Sequence, residues 1–306
     1  MKEQKISTIS ASPKARKFAR EVGADLHLVE GSQREGRINE EDIKKFVKKS
    51  LSGKSLKKKE TLAQTYDYSE FGEIETKSIP RIKKIAGPHL QKSWSEIPHV
   101  TQHDEADITE MELFRKSLRD LYTGAKISVT PLAFIIRAVV KALKDYPNFN
   151  SSLDLGNQKI IYKKYYHIGV AIDTPHGLMV PKIRDADKKD IKTLGKELKS
   201  VSKLSAELKI DKKEFFGGSM TISSLGSIGG SFFTPIINQP EVAILGVGRA
   251  ERKQVFMGDK YQSRIMLPLS LSYDHRVIDG AEGARFCVHL KESLGKDFAY
   301  KLALAV

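Results

Sequence analysis

The chain has 306 residues, of which 40% are hydrophobic and 29% are charged, and this balance excludes disorder throughout and allows one large domain with a smaller one. Lysine and arginine exceed aspartate and glutamate by 52 to 38, a net charge of +14, which fits an acidic partner, a membrane surface or a nucleic acid. Residues 1–60 contain 16 basic and 9 acidic side chains, half of that excess, so the rest of the chain has the charge balance of an ordinary globular protein.

The N-terminal fifth predicts a small helical unit after a short tail of residues 1–10. Ser12 is a favourable N-cap and Pro13 fits the first helical position, so we predict a helix over residues 12–20. A turn-rich stretch follows, and a second helix of about ten residues begins at Asn39. A two-helix unit of roughly forty residues lies near the lower size limit for independent folding. We therefore expect it to present a binding surface.

Residues 48–76 predict a linker. Its first part, KKSLSGKSLKKKE, has almost no apolar side chains, and its like charges repel one another. Such a composition is typical of a flexible, extended tether. We therefore place a domain boundary here, with the second domain over residues 77–306.

The second domain combines helical and strand-like patterns. Residues 131–145 have the apolar spacing of a helix that buries one face. Strands and two further helices alternate irregularly after it, which is typical of an α/β or α+β domain built on a mixed sheet. The strand-like runs are residues 160–172, 178–183, 220–223, 241–248 and 265–273, and the helices are residues 188–209 and 281–294.

The cysteine count and the apolar stretches indicate the cellular compartment of the protein. The single cysteine, Cys287, excludes an intramolecular disulfide and a multi-cysteine zinc site, and it fits a reducing compartment. The N-terminus lacks the apolar core of a signal peptide. The longest uncharged stretch, residues 215–240, is broken by glycine, serine, asparagine and proline, so it cannot form a membrane helix. We expect a cytoplasmic protein.

The motif DHRVIDG, residues 274–280, follows a predicted strand and precedes a predicted helix. A neutral imidazole can take a proton from a thiol of pKa about 8.5, so His275 is a candidate general base. Asp279 lies four positions later, a spacing that brings two residues together on one side of a helical turn. From the pattern alone, a structural histidine held by Asp279 is an equal alternative.

A second candidate lies in TISSLGSIGG, residues 221–230, where a strand ends beside several glycines. The hydroxyl of Ser223 could donate to a developing oxyanion, or it could be bound within a turn, which is the commoner fate of serine beside glycine. The stretch lacks the Gly-Lys-Ser/Thr ending of a phosphate-binding loop.

The remaining cysteine and histidine patterns favour structural roles. Cys287 lies in the apolar pattern of a predicted helix, so buried packing is favoured over a nucleophile paired with His275. His99 and His103 are four positions apart but lack the acidic context of a zinc-binding helix. We therefore predict no metal site.

Several long motifs resemble one known family. PLSLSYDHRVIDG, FFGGSMTISSLGSIGG, INQPEVAILGVGR and IPHVTQHDEADITEMELFR occur in register over residues 77–306 and resemble the catalytic domain of the dihydrolipoamide acyltransferases of 2-oxo acid dehydrogenase complexes. Residues 11–43 resemble the peripheral subunit-binding domain of the same family, which we place at residues 11–47, although Ser32 and Gln33 depart from its usual Gly-Thr-Gly turn. Residues 71–94 are most similar to acetyltransferases of bacterial pyruvate dehydrogenase complexes.

The resemblance implies a catalytic domain with the fold of chloramphenicol acetyltransferase, preceded by a small all-α domain. It implies transfer of an acetyl group between dihydrolipoamide and coenzyme A. His275 would deprotonate the attacking thiol, Ser223 would hydrogen bond the oxyanion, and Asp279 would orient Arg276 or the loop. The channel would lie between subunits of a homotrimer, with His275 and Ser223 on different chains and the trimers forming a cubic, 24-subunit core. Arg115 is a candidate contact for the phosphates of coenzyme A.

For the small domain, the resemblance implies that Arg16 and Arg37 bind dihydrolipoamide dehydrogenase or the pyruvate dehydrogenase component. The lipoylation signature Asp-Lys-Ala is absent. We therefore expect either a truncation or a lipoyl group supplied by a domain on another chain. The alternatives are a succinyl or branched-chain acyltransferase, a scaffold that no longer turns over, and a nucleic-acid-binding protein, although neither a nucleic acid nor a membrane is an expected partner.

Overall fold

The computed structural model describes residues 10–51, 67–119 and 123–302. Contacts divide the chain after Thr76 into two compact units. Of the expected tail, residues 1–9 lie outside the described residues, as do residues 52–66 of the expected linker. The linker prediction is wrong for residues 48–51, which continue the second helix. Acidic side chains in the first turn of that helix and lysines in its last turn complement the helix dipole, so the lysines extend the helix instead of ending it.

The small unit consists of two helices, α1 (Pro13–Glu21) and α2 (Glu40–Leu51), joined by short 3₁₀ turns. The predicted cap is confirmed, because Ser12 Oγ accepts a hydrogen bond from Ala15 N at 3.2 Å. Asp42 closes the connecting loop, where its carboxylate accepts from the backbone N–H groups of Ser32 and Asn39. These hydrogen bonds lower the pKa of Asp42. The core is formed by Ala15, Ala19, Val29, Ile38 and Ile43.

The large unit is built on a mixed sheet, as the sequence predicts. The strand order is β1-β9-β7-β6-β4-β5, and β8 pairs with the first half of β9. Strands β4, β6 and β7 are parallel neighbours, and the other pairs are antiparallel. The strands are β1 (His99–Asp107), β4 (Ile168–Ala171), β5 (Lys182–Ile183), β6 (Met220–Ser224), β7 (Ala243–Val247), β8 (Glu251–Met257) and β9 (Lys260–Asp274), with β2 (Ser151–Asp154) and β3 (Lys159–Tyr162) forming a separate hairpin.

Helices cover this sheet and form the main core with it. The predicted helix over residues 131–145 is confirmed, and nine of its residues are buried. In the core, it packs against the helices Ile191–Ala206 and Gly280–Leu294. The helices of the large unit are α3 (Arg81–Glu96), α4 (Thr109–Ser117), α5 (Pro131–Asp145), α6 (Ile191–Ala206), α7 (Gly280–Leu294) and α8 (Phe298–Leu302). Within the described ranges, no helix has the length and apolar character needed to cross a membrane.

One predicted strand is divided in two. The run over residues 160–172 forms β3 in the separate hairpin and β4 in the main sheet, and the residues between them belong to neither strand. Asn150 Nδ2 donates to the carbonyl oxygens of Lys163 and Tyr165, at 3.0 Å each, and Ser219 Oγ donates to the latter as well. Because side chains donate hydrogen bonds to these carbonyl oxygens, the carbonyl groups need no neighbouring strand as a partner.

Candidate active site

His275 lies in the turn that follows β9, at the end of the sheet. Its backbone N–H donates to Pro98 O at 3.1 Å, and its side chain is exposed in the single chain. No hydrogen bond joins its ring to Asp279 or to any other residue that the structure describes. The alternative of a structural histidine held by Asp279 is therefore wrong, and the imidazole nitrogens are available to a ligand.

The residues on either side of His275 form an ion pair that fixes this turn. Arg276 Nε lies 2.9 Å from Asp274 Oδ1 and Arg276 Nη2 lies 2.7 Å from Asp274 Oδ2. The backbone N–H of Arg276 also donates to Asp274, whose own N–H donates to Val242 O at 2.8 Å. The carboxylate of Asp274 is buried, and its hydrogen bonds raise the pKa of Arg276. His275 therefore projects from a rigid backbone.

Asp279 is the N-cap of α7. Its Oδ1 accepts a hydrogen bond from Glu282 N at 2.7 Å. The expectation that Asp279 orients Arg276 is wrong, because that arginine is paired with Asp274. The other expected role, orienting the loop, agrees with the cap, since the cap fixes where the loop ends and the helix begins.

Ser223 lies near the end of β6 and is half-buried. Its backbone pairs with Ala171 on one side and with Gly246 on the other. Its hydroxyl has no hydrogen-bond partner among the residues described, so the alternative of a serine bound within a turn does not hold there. The hydroxyl is free to donate to a ligand.

The structure does not bring Ser223 and His275 together within one chain. Ser223 is level with Gly246 and, one strand further, with Ser270. His275 follows at the end of that strand, so the two residues are separated by two strand spacings and by about five residues along the strand, roughly 15 to 20 Å. Direct cooperation between them therefore requires two copies of the chain.

Arg115 is bound within its own chain. Its Nε and Nη2 lie 2.7 and 2.9 Å from the carboxylate of Glu112, and its Nη1 donates to Val129 O at 2.9 Å. The carboxylate raises the pKa of the guanidinium. Through these contacts Arg115 links α4 to the segment before α5. We therefore do not retain it as a contact for coenzyme A.

The two arginines expected to bind partners lie on the small unit. Arg16 and Arg37 are both exposed, and Arg16 Nε donates to Ala11 O at 3.3 Å. Arg37 lies directly after the 3₁₀ turn that ends at Gly36. Both residues thus lie at the surface of the small unit.

Cys287 takes the structural role that the sequence favours, and His103 is bound within the sheet. Cys287 is buried on α7, and burial raises the pKa of its thiol to about 12, so it is not a nucleophile at neutral pH. His103 binds Ser270 Oγ at 3.0 Å. Across the described part of the chain, no group of histidine, cysteine and carboxylate side chains could hold a metal ion.

Sequence reasoning missed a buried ion pair beneath the site. Lys182 Nζ lies 2.6 Å from Glu241 Oε1, and both side chains are about 1% exposed. Thr221 Oγ1 donates to Glu241 Oε2 at 2.6 Å, and Asn238 Nδ2 donates to Oε1 at 3.3 Å. Glu241 directly precedes Val242, whose carbonyl holds Asp274. The partners are far apart along the chain, so no local pattern could have revealed the pair.

Two family models match the chain. The model described as the 2-oxoacid dehydrogenases acyltransferase (catalytic domain) matches residues 71–300, and the model described as the e3 binding domain matches residues 9–44. Both matches follow the domain order expected from the motifs.

Curated relatives are similar along nearly the whole chain. The dihydrolipoyllysine-residue acetyltransferase component of the pyruvate dehydrogenase complex of Cupriavidus necator is 48% identical, over 93% of this chain and 53% of that protein. The corresponding component of Haemophilus influenzae is 46% identical, over 92% of this chain and 52% of that protein. The chain therefore spans about half the length of the curated relatives it matches.

Solved structures share the fold of the large unit. One, from a study of a serine, a histidine and an asparagine in the catalytic mechanism of Azotobacter vinelandii dihydrolipoamide acetyltransferase, is 44% identical, with a TM-score of 0.75 over 78% of this chain and 98% of that chain. The cubic core of the pyruvate dehydrogenase multienzyme complex is 45% identical, with the same TM-score and coverage. The serine and histidine of the Azotobacter protein have the spacing of Ser223 and His275, and its asparagine follows the histidine at the spacing of Asp279.

Proposed function

The chain belongs to the family of 2-oxoacid dehydrogenase acyltransferases, and from this premise we propose that it transfers an acetyl group between a dihydrolipoyl thioester and coenzyme A. The observation that carries the proposal is the exposed imidazole of His275 on a fixed turn, with a serine at the spacing found in the Azotobacter enzyme. The names of the similar relatives favour acetyl over succinyl or branched acyl groups.

In the proposed reaction, His275 removes the proton from the thiol of coenzyme A. The thiolate attacks the carbonyl carbon of the acetyl thioester, and Ser223 donates a hydrogen bond to the oxyanion that forms. Collapse of this intermediate breaks the bond to the dihydrolipoyl sulfur, which takes the proton back from the imidazolium. The lipoyl group is a substrate carried by a lipoyl domain.

We place the reaction between two copies of the chain, because His275 and Ser223 cannot meet within one. Exposed apolar side chains support self-association. They occur on α3, at Ile85, Leu90 and Trp94, and on the hairpin of β8 and β9, at Phe256 and Tyr261. Such surfaces are normally covered by a partner. A homotrimer with the site at each interface, assembled into a 24-subunit cubic core, agrees with the likeness to the solved cubic core.

The small unit would recruit the other enzymes of the complex. The match to the e3 binding domain and the exposed Arg16 and Arg37 support binding to an acidic surface of dihydrolipoamide dehydrogenase or of the pyruvate dehydrogenase component.

His275→Ala should lower the rate of acetyl transfer by about 10²- to 10⁴-fold, because it removes the general base. Ser223→Ala should lower it by about 10²- to 10³-fold, because it removes an oxyanion donor. The assay follows transfer from acetyl coenzyme A to free dihydrolipoamide. Turnover of the His275 variant at the wild-type rate would contradict the assignment.

Mixing the two variants tests the shared site. If they are unfolded together and reassembled, a site with both groups intact forms wherever a His275→Ala copy supplies Ser223 and a Ser223→Ala copy supplies His275. Random assembly restores about a quarter of wild-type turnover when the two groups come from different chains. If both groups came from one chain, no mixed site would be intact and turnover would stay at the level of the separate variants.

A further inference from the structure

His99, the first residue of β1, bridges two separate backbone segments with its ring. Its Nδ1 lies 2.8 Å from Ile97 O, and its Nε2 lies 3.0 Å from Ile237 N. A backbone N–H can only donate, so Nε2 is the acceptor and Nδ1 carries the proton that is donated to Ile97 O. Both ring nitrogens are therefore used, and the imidazole is neutral and held in one tautomer.

The two bridged segments are the ones that hold the end of β9. Pro98, which lies between Ile97 and His99 in the chain, accepts the N–H of His275 at its carbonyl oxygen, at 3.1 Å. On the other side, Val242 O accepts the N–H of Asp274 at 2.8 Å. The imidazole of His99 thus joins the backbone that holds His275 to the backbone that holds the residue before it.

The segment over residues 237–242 gives the bridge a rigid support. The buried carboxylate of Glu241 is bound by Lys182 and Thr221 from the sheet, and by Asn238 from the segment itself. Ile97, Ile237 and Ile244 form a small buried cluster of their own beside the bridge. A buried charge that is fully hydrogen bonded holds its surroundings in one arrangement.

We propose that His99 is a positioning residue for His275, which it holds through the backbone at the end of β9. The inference rests on the proposed function in one respect, that His275 is the general base. Proton transfer requires the base within hydrogen-bond reach of the thiol. Without the bridge, the segment over residues 97–98 can move away from residues 237–242, and the backbone N–H of His275 moves with it.

The test compares two variants in which a half-buried histidine that accepts a backbone N–H is replaced by leucine. His99→Leu removes the bridge, and we expect kcat for acetyl transfer to fall by about 10- to 100-fold with the KM values unchanged. The matched control is His167→Leu. His167 is also half-buried, and its Nδ1 accepts a backbone N–H, that of Asp185 at 3.0 Å, at the β4 and β5 side of the sheet. The control should keep the wild-type kcat.

Two further variants separate positioning from a general loss of packing. In His99→Gln the side-chain oxygen can accept from Ile237 N, whereas in His99→Asn the shorter amide reaches only Ile97 O. We expect the Gln variant to recover part of kcat and the Asn variant to recover less. Equal kcat values for wild type, Leu and Asn would overturn the proposal, as would an equal loss in His167→Leu.

A measurement without turnover distinguishes this proposal from the proposed function. Hydrogen–deuterium exchange of the assembled protein should be faster over residues 271–279 in His99→Leu than in wild type, and unchanged there in His167→Leu. If residues 271–279 exchange faster in His99→Leu than in wild type but the wild type transfers no acetyl group, the proposed function fails and the bridge stands. If wild type transfers acetyl groups and the exchange of this peptide is the same in all variants, the bridge fails. Should His99→Leu not assemble, the Gln and Asn variants give the same comparison.

Discussion

Lys163 is a charged side chain in surroundings that favour its neutral form. It is half-buried, and its Nζ donates to Gly218 O at 2.8 Å. Burial lowers its pKa from 10.5 to about 8, the nearby charge of Glu241 opposes that shift, and the charge of Lys182 adds to it. The lysine therefore releases its proton more readily in the folded than in the unfolded protein.

This shift predicts how stability depends on pH. Between pH 8 and pH 10.5 the unfolded chain binds the proton of Lys163 more tightly than the folded chain does, so the free energy of unfolding should rise with pH in this window. Relative to Lys163→Met, the wild type should gain up to about 3 kcal/mol across it. The measurement is denaturant unfolding of both proteins from pH 7 to pH 10. The control is Lys164→Met, at the exposed neighbouring position, and a parallel change in all three proteins would contradict the prediction.

At the scale of residues, the sequence identifies candidate site residues whose neighbours along the chain indicate where in the fold they lie. Ser223 ends one strand-like run and His275 closely follows another, and the structure places both at or near strand ends. Lys182 shows the limit. In the run LMVPKI it is the one polar side chain, yet it is buried, because its partner Glu241 comes from a loop 59 positions later. Only the fold brings such a pair together.

At the scale of elements, the start of α7 depends on Asp279. Asp279→Ala should destabilise the protein by about 1 kcal/mol, because Glu282 N loses its acceptor and the N-terminus of the helix loses a negative charge. Asp279→Asn should lose much less stability, since an amide oxygen also accepts a hydrogen bond and asparagine caps helices well. The Azotobacter protein has an asparagine at the same spacing from its histidine.

Thermal unfolding of the assembled protein measures both variants. The expected order of midpoints is wild type, then Asn close below it, then Ala. Midpoints that are the same for all three proteins would show that the cap contributes nothing to stability.

Helices and strands differ in how well the sequence predicts them. Helix α5 was predicted because its apolar stripe is wide and continuous. Strands β1 and β8 were missed, because β1 lies at the edge of the sheet and β8 is almost wholly exposed. Their sequences, HVTQHDEAD and ERKQVFM, lack the apolar alternation of a strand with one buried face. What specifies them is pairing with β9.

At the scale of the whole molecule, the proposed functions of partner binding and catalysis fall on separate units. Reversing two charges on the small unit, Arg16→Glu with Arg37→Glu, should weaken binding to dihydrolipoamide dehydrogenase by at least about tenfold, because in the proposed complex these groups bind an acidic surface. Acetyl transfer to free dihydrolipoamide should be unchanged. The binding constant is measured by titration calorimetry at two salt concentrations, and the wild-type affinity should fall as salt rises.

A matched charge reversal on the large unit is the control for net charge. Lys196→Glu with Lys199→Glu changes two exposed lysines of α6 by the same amount. This variant should bind the partner as the wild type does. A loss as large as that of the arginine variant would mean that overall charge governs binding and would remove the role given to Arg16 and Arg37.

The buried ion pair also makes several positions depend on one another in evolution. A methyl group on Gly169 would lie 2.7 Å from Lys182 Nζ, and one on Gly218 would lie 2.1 Å from Glu241 Oε1. Gly218 therefore cannot acquire a side chain while the pair is present, whereas loss of the pair to smaller apolar residues would free it. Gly169 stays restricted in either case, because a methyl group there would also lie 2.5 Å from Thr221 Oγ1. Substitutions at Gly218, Lys182 and Glu241 are thus epistatic, and drift among homologues should change these three positions as a set.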